Sequence, residues 1–492
     1  MATGIPSPNG KARSQSASNG PGVALSYPGK KPVGEILATP AAALVVDWAA
    51  SGNSSPNGLY FGENLAVLSA MRIDPRICGN VRLVYIDPPY ATRSVFQSRK
   101  QDDAYHDLLH GAEYLEFLRE RLILLRDLLA DDGSIYLHLD ENMAFHAKIL
   151  MDEVFGSSNF RNWLTRKKCN PKNYTRKTYG NVADYILFYT KGENYVWHRP
   201  VEAWTDQGAA REYNYTEPGT GRKYKKVPIH APGVRNGETG KPWRGMSPPP
   251  GKHWQYVPTT LDEMDARGEI YWSPTGNPRR KIYLDQSGGI PVQDIWLDFR
   301  DAHNQNIRIT GYPTEKNPAL LARIIAASSN PGDIILDCFS GSGTTLEAAH
   351  RLGRHWLGVD NSAEAIRTTL TRFARGIEPM GDFVRRMELE DAAAPNGDPQ
   401  TMFDLDLSPS KTAQDQSDHE PILNFTLYRD TGIPPAEFLS EWPMPTDASG
   451  GVNGTRLSTR EAAVVCETPH SQAPTAPSGR KTTYRPNKKA KQ

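Results

Sequence analysis

Two short stretches carry residue types that could do chemistry together. The first is Asp87-Pro88-Pro89-Tyr90, which closes the apolar run Val81 to Ile86. A buried strand that ends directly in these four residues puts them at the carboxyl edge of a sheet, where doubly wound folds bind ligands. The carboxylate is a strong hydrogen-bond acceptor, and the phenol ring is a stacking face. Together they suit an exocyclic amine on a flat ring. Asp87 and the Pro88 carbonyl accept its two N–H hydrogens, the nitrogen lone pair turns out of conjugation towards an electrophile, and Tyr90 stacks on the ring.

The second stretch is Asp337-Cys338-Phe339-Ser340-Gly341-Ser342-Gly343-Thr344, followed by Asp360 at 23 positions from Asp337. Strand, glycine turn, helix, strand, acid is the nucleotide-binding order of a doubly wound sheet. The glycines let a ligand approach the backbone, and the second acid accepts hydrogen bonds from ribose hydroxyls. A phosphate loop for ATP or GTP is excluded, because Thr344-Thr345 stand where such a loop needs lysine.

The elements that must position these residues are legible on either side. Glu113 to Ala130 reads as a helix, with Leu115, Leu118, Leu122, Leu125 and Leu129 at three- and four-residue steps, and Ser134 to Leu139 as the strand after it. Asn317 to Ser328 reads as a helix with Pro318 in its first turn. Asp333 to Asp337, Thr344 to Leu352 and His355 to Val359 continue as strand, helix, strand. The fold class is therefore α/β, a doubly wound and mostly parallel sheet, divided as follows. Residues 1–31 form a flexible leader and 32–159 the half with the DPPY stretch. Residues 160–306 form a loop-rich basic insert, in which 183–192 reads as a strand of the main sheet. Residues 307–380 carry the glycine turn, and 381–492 are a mostly disordered tail with a small docking element around Ile422–Trp442.

Composition narrows the function. The net charge is only +1, yet Arg161 to Gly311 hold 24 Lys and Arg against 15 Asp and Glu, which points to a polyanionic partner. Seven cations and no acid fall in one short run: Arg161, Arg166, Lys167, Lys168, Lys172, Arg176 and Lys177. Seven of the ten Trp lie in the insert, most of them as its own small core. No apolar run is long enough to span a membrane. The four cysteines lack any paired spacing, which fits a reducing cytoplasm and excludes a zinc ribbon; no other metal-ligand cluster is visible. None of them follows proline, so the nucleophile needed for methylation at cytosine C5 is absent.

Taken together, the two stretches closely resemble the amino-methylating DNA methyltransferases of the permuted "beta" type, over about residues 58–192 and 294–377. Gly62-Glu63-Asn64 resembles the segment before the DPPY strand that lies near the cofactor adenine. Phe339, Gly341 and Gly343 match the S-adenosylmethionine loop, and Asp360 its ribose-binding acid. Tyr312 to Asn317 resembles the segment that touches the cofactor's methionine end, with Glu315 and Asn317 in place of the commoner Gln and Pro. The resemblance implies catalysis by Asp87, Pro88, Pro89 and Tyr90. It implies S-adenosylmethionine held by Asn64, Thr314, Lys316, Asp337, Phe339, Gly341, Gly343 and Asp360. The partner is double-stranded DNA, gripped by the cationic run from Arg161 to Lys177 in the target-recognition insert. It further implies methyl transfer to N6 of a flipped-out adenine, for protection of self DNA in the nucleoid of a prokaryotic cytoplasm. Cytosine N4, a non-catalytic cofactor-binding recognition protein, a separate restriction or defence subunit, and a homodimer remain open alternatives.

Overall fold

A computed structural model describes residues 23–50, 55–89, 95–97, 103–106, 111–170, 177–299, 315–376, 420–435 and 454–455. Its centre is an eleven-stranded sheet. In chain order the strands are β1 (Leu44–Ala50), β2 (Gly58–Phe61), β3 (Val81–Ile86), β4 (Leu129–Leu139), β5 (Phe160–Lys167), β6 (Ala183–Thr190), β7 (Ile295–Trp296), β8 (Ile334–Asp337), β9 (His355–Asp360), β10 (Thr426–Asp430) and β11 (Gly454–Thr455). They lie in the order β7-β5-β6-β4-β3-β8-β9-β2-β10-β1-β11. The six central strands from β4 to β10 run parallel, whereas β6 is antiparallel to β4 and β1 to β10. Strand β3 thus pairs with β8, although about two hundred and fifty positions separate them in the chain. A parallel sheet needs strands side by side, not in one particular chain order, so the permuted arrangement closes normally.

Helices cover both faces. On one side α1 (Asn64–Ile73), α2 (Ala112–Leu128) and α3 (Ala144–Phe155) bury Val67, Leu68, Leu118, Leu122, Leu125, Ala147 and Leu150. On the other, α4 (Pro318–Ser328), α5 (Thr344–Arg351) and α6 (Ala363–Arg375) bury Leu320, Ile324, Leu346, Ile366, Leu370 and Phe373. The leucine steps of α2 predicted this helix, and its strand partner begins earlier than expected, at Leu129 rather than Ser134. Asn317 caps α4 by accepting from the Ala319 amide at 2.9 Å, with Pro318 as its first residue.

Three boundaries differ from the sequence reading. Strand β10 lies in the docking element expected around Ile422–Trp442 of the tail, and it is a full sheet strand inserted between β2 and β1. Ile422, Phe425 and Leu427 are buried there, with the Phe425 ring tilted against Trp48 and Trp356 and edge-on to Phe373. Strands β5 and β6 belong to the main sheet, so the insert proper starts after Thr190. Residues 23–31 of the expected leader are docked: Tyr27 donates to Glu116 at 2.7 Å, and Lys30 pairs with Glu153 at 2.8 Å. The sequence already reads 183–192 as a main-sheet strand and Ile422–Trp442 as a docking element, whereas β5 and the docked 23–31 segment escape it for one reason. A single short element without periodicity gives no local signal, and its burial depends on distant partners.

The insert has a core of its own around Trp243, Trp254, Ile229, Leu261, Met264 and Ile270. It carries a four-stranded antiparallel sheet in the order Tyr215–Thr216, Lys223–Val227, Pro278–Tyr283, Ile270–Trp272.

Candidate active site

Strand register brings the two stretches to one rim. Val84 pairs with Leu336, Asp337 with Gly358, and Asp360 with Phe61. Continuing these registers sets Asp87, Phe339 and Asp360 level at the carboxyl edge of β3, β8 and β9. The buried Asp337 carboxyl feels the charges of both Asp87 and Asp360, which fits that placement. Tyr90 and Thr314, expected at the site, fall outside the described residues, as do Lys172 and Arg176 of the cationic run.

The glycine turn is held by backbone and side chain alike. Gly341 and Gly343 have φ of 51° and 74°, left-handed values that favour glycine. A Cβ on Gly343 would stand 2.8 Å from the Thr369 side chain, so that position is closed to larger residues. Asp360 accepts from the Gly341 amide and the Ser362 amide, both at 2.9 Å. Asp337 accepts from the Phe339 amide at 3.0 Å and the Thr345 hydroxyl at 2.6 Å. Burial raises both acids, and Asp337 is pushed up to about 7, with the charges of Asp87 and Asp360 adding to the burial effect.

Asn64 and Lys316 sit deeper than the sequence implied. The Asn64 amide donates to the Cys338 carbonyl at 2.8 Å, and its oxygen accepts from Arg121 Nε at 2.6 Å, so it ties β2 to the end of β8. Lys316 Nζ lies 2.6 Å from Asp87 Oδ2, with side chains 8% and 17% exposed. The lysine expected at the cofactor thus holds the Asp87 carboxylate.

Two buried clusters escaped sequence reasoning. Arg372 of α6, with no exposed side-chain surface, donates to the Ser342 carbonyl and to Glu347, both at 2.6 Å, and is paired with Glu315. It fastens the glycine turn, α5 and the segment entering α4 to one another. Behind Asp87, Tyr85 and His138 Nδ1 share a hydrogen bond of 2.8 Å, and His138 Nε2 faces Asp184 at 3.4 Å. Arg166 and Lys168 reach the same Asp184 at 3.2 and 2.9 Å.

That last contact corrects the expected DNA grip. Arg166 is fully buried, paired with Asp184 and donating to the Phe299 carbonyl at 2.6 Å, so it cannot meet a phosphate. Lys168 shares Asp184 with Arg166 and has Glu141 at 3.9 Å as a second carboxylate. Arg161 spends its guanidinium on Thr190, the Ser158 and Gly192 carbonyls and the Tyr195 ring. Lys167 is part-buried, and Lys177 is exposed.

The family model described as "DNA methylase", of the N6/N4 type, matches residues 81–371, which span both halves of this rim and the insert. The type II methyltransferase M.EcaI of Enterobacter cloacae is 45% identical over 413 residues, covering 83% of this chain and 87% of that protein. The chain belongs to the N6/N4 DNA methylase family. The Mod subunit of the type III restriction-modification enzyme StyLTI of Salmonella typhimurium is 28% identical, over 62% of this chain and 51% of its own length. The crystal structure of the M1.HpyAVI–SAM complex superposes with a TM-score of 0.36 at 15% identity, over 64% of this chain and 98% of that one.

The methyl donor of this family is S-adenosylmethionine, which supplies an electrophilic methyl on a sulfonium. The rim of this methylase fits it. Each Asp360 oxygen has one backbone donor and a lone pair left for a hydroxyl. Ser340 Oγ is buried in the turn without a protein partner among the described residues. No group of metal-ligating side chains and no helix long and apolar enough to cross a membrane occurs among the described residues.

The raised Asp337 has a consequence for stability. Between about pH 4 and pH 7 the folded protein keeps a proton that the unfolded chain has lost, so this group makes stability fall as pH rises through that window, with the full penalty above the folded pKa. Asp337→Asn is expected to flatten this fall. Urea unfolding at about pH 5 and about pH 8 measures it, and a variant with the parent's pH slope would refute the assignment.

Proposed function

We propose that this methylase transfers the methyl group to N6 of adenine in a base flipped out of double-stranded DNA, as the self-protecting modification enzyme of a restriction or phage-defence system. The observation that carries the reading is Asp87, an aspartate rather than a serine at the head of the DPPY stretch, level with the glycine turn. Asp87 and the Pro88 carbonyl accept the amine hydrogens, Pro89 stiffens the turn, and Tyr90 stacks on the base. In-line attack then needs only alignment and acceptors, with no covalent enzyme intermediate. Phe339, Gly341, Gly343, Asp337, Asp360, Asn64, Thr314 and Lys316 form the cofactor side. The relatives named above support the defence setting; a nuclease partner or a second copy of the chain would be supplied separately.

Incubating the protein with unmodified DNA and methyl-labelled cofactor, followed by digestion to nucleosides, tests the base. Label in N6-methyladenine is expected. Label confined to N4-methylcytosine would overturn the adenine reading and leave the family intact.

A further inference from the structure

Exposed cations also lie outside the run from Arg161 to Lys177. In the insert's four-stranded sheet Tyr215 faces Tyr224, Lys226 faces Lys281, and Tyr271 faces Arg279. Directly opposed residues share a face, and alternate residues return to it. Tyr215, Lys226, Tyr271 and Arg279 therefore stand on one side, while Ile270 and Trp272 point from the other into the insert's core. Lys226 Nζ sits between two rings, 3.6 Å from the Tyr215 centroid and 3.4 Å from that of Tyr271. Tyr215 is 40% exposed, and Arg279 is exposed.

The basic character continues past the sheet. His230 pairs in the neighbouring hairpin that also holds the exposed Lys252. After burial, the charges that lower its pKa are those of Lys252 and Arg279, which puts these two cations in one electrostatic neighbourhood around a histidine that their charges keep from protonating. Gathering like charges costs energy in the free protein, and a polyanion offsets it. By contrast Lys281, on the same face, is neutralised by Glu217 at 2.8 Å and is not counted.

We infer that the Tyr215–Lys226–Tyr271–Arg279 face, extended by Lys252, grips the DNA phosphate backbone and orients the duplex for the rim. The inference rests on the reading of the insert as the recognition unit. Arg279 and Lys252 meet phosphates, while the Tyr271 and Tyr215 rings hold Lys226 in place for a third.

The test uses the full chain carrying Lys252→Gln and Arg279→Gln, both exposed positions where folding is spared. Anisotropy with a fluorescein-labelled duplex of mixed sequence is followed across a salt series. Affinity is expected to fall about tenfold at moderate salt, and the slope of log K against log salt to shrink by about 2, roughly 0.9 for each lost phosphate contact. Methylation of unmodified plasmid should show a raised KM for DNA and an unchanged kcat, with cofactor affinity intact by calorimetry. Parental affinity and slope in the double variant overturn the inference. So does a loss seen instead only in a Lys167→Gln, Lys177→Gln variant. A parent protein that binds the duplex and transfers no methyl would refute the proposed function and leave this surface standing.

Discussion

Asp87→Ala is expected to lower methyl transfer by about a thousandfold while leaving cofactor affinity near the parental value. The amine nitrogen of a base is a poor nucleophile because its lone pair is delocalised into the ring. Accepting both N–H hydrogens out of the ring plane restores it, and the acceptor must already stand in place, since reorganising it during the reaction would cost rate. Asp87 is held so. It follows directly on a strand buried at nearly every position, and Lys316 Nζ fixes its Oδ2 at 2.6 Å. Removing the carboxylate leaves that lysine partly buried beside a gap, so the isosteric Asp87→Asn is the companion variant. It retains shape and one acceptor and should lose less. Calorimetry with S-adenosylmethionine separates this from Asp360→Ala, which removes the acceptor beside the Gly341 amide and should weaken cofactor binding instead. An Asp87→Ala protein with full turnover would end the catalytic assignment.

Arg372→Met is expected to cost about 3–5 kcal/mol of stability, the largest loss from any single change at this site. The guanidinium has no exposed side-chain surface, and its partners Glu315 and Glu347 are 1% and 5% exposed. Deleting the cation takes the arginine from the buried Glu315 carboxylate, leaves Glu347 to Arg351 alone, and frees the Ser342 carbonyl from its donor at 2.6 Å. A thermal melt should drop by roughly 10 °C. Adding Glu315→Gln to Arg372→Met removes one stranded charge and should recover part of the loss, which a generic packing defect would not. A melt within about 2 °C of the parent would show that Arg372 does not fasten the turn. Because Ser342 lies between the two glycines of the turn, cofactor affinity should fall in step with stability.

The chain itself determined the parts whose signal is contiguous. The strand before Asp87, the leucine steps of α2, the Pro-started α4 and the glycine turn with its acid are each written in a dozen residues, and they set both the fold class and the chemistry of the rim. That the edges of β3 and β8 meet was legible only through the resemblance to the permuted methyltransferases, since a parallel sheet does not require its neighbours to be consecutive in the chain.

Tertiary structure alone decided where the charges go. Arg166, Lys168 and Arg161 look like an exposed basic run, yet each is spent on a carboxylate or a carbonyl brought from elsewhere in the fold. Arg372 and His138 look ordinary in sequence and become buried keystones, since their partners lie up to 57 and 53 positions away. Strand β10 is five residues at a short apolar patch, Ile422 to Tyr428, whose place in the sheet exists only once Trp48, Trp356 and Phe373 surround Phe425. The physical reason is common to all three. Hydrophobic periodicity is a local property of the chain, whereas the fate of a charge or of a lone strand is set by the dielectric and the partners that folding brings to it.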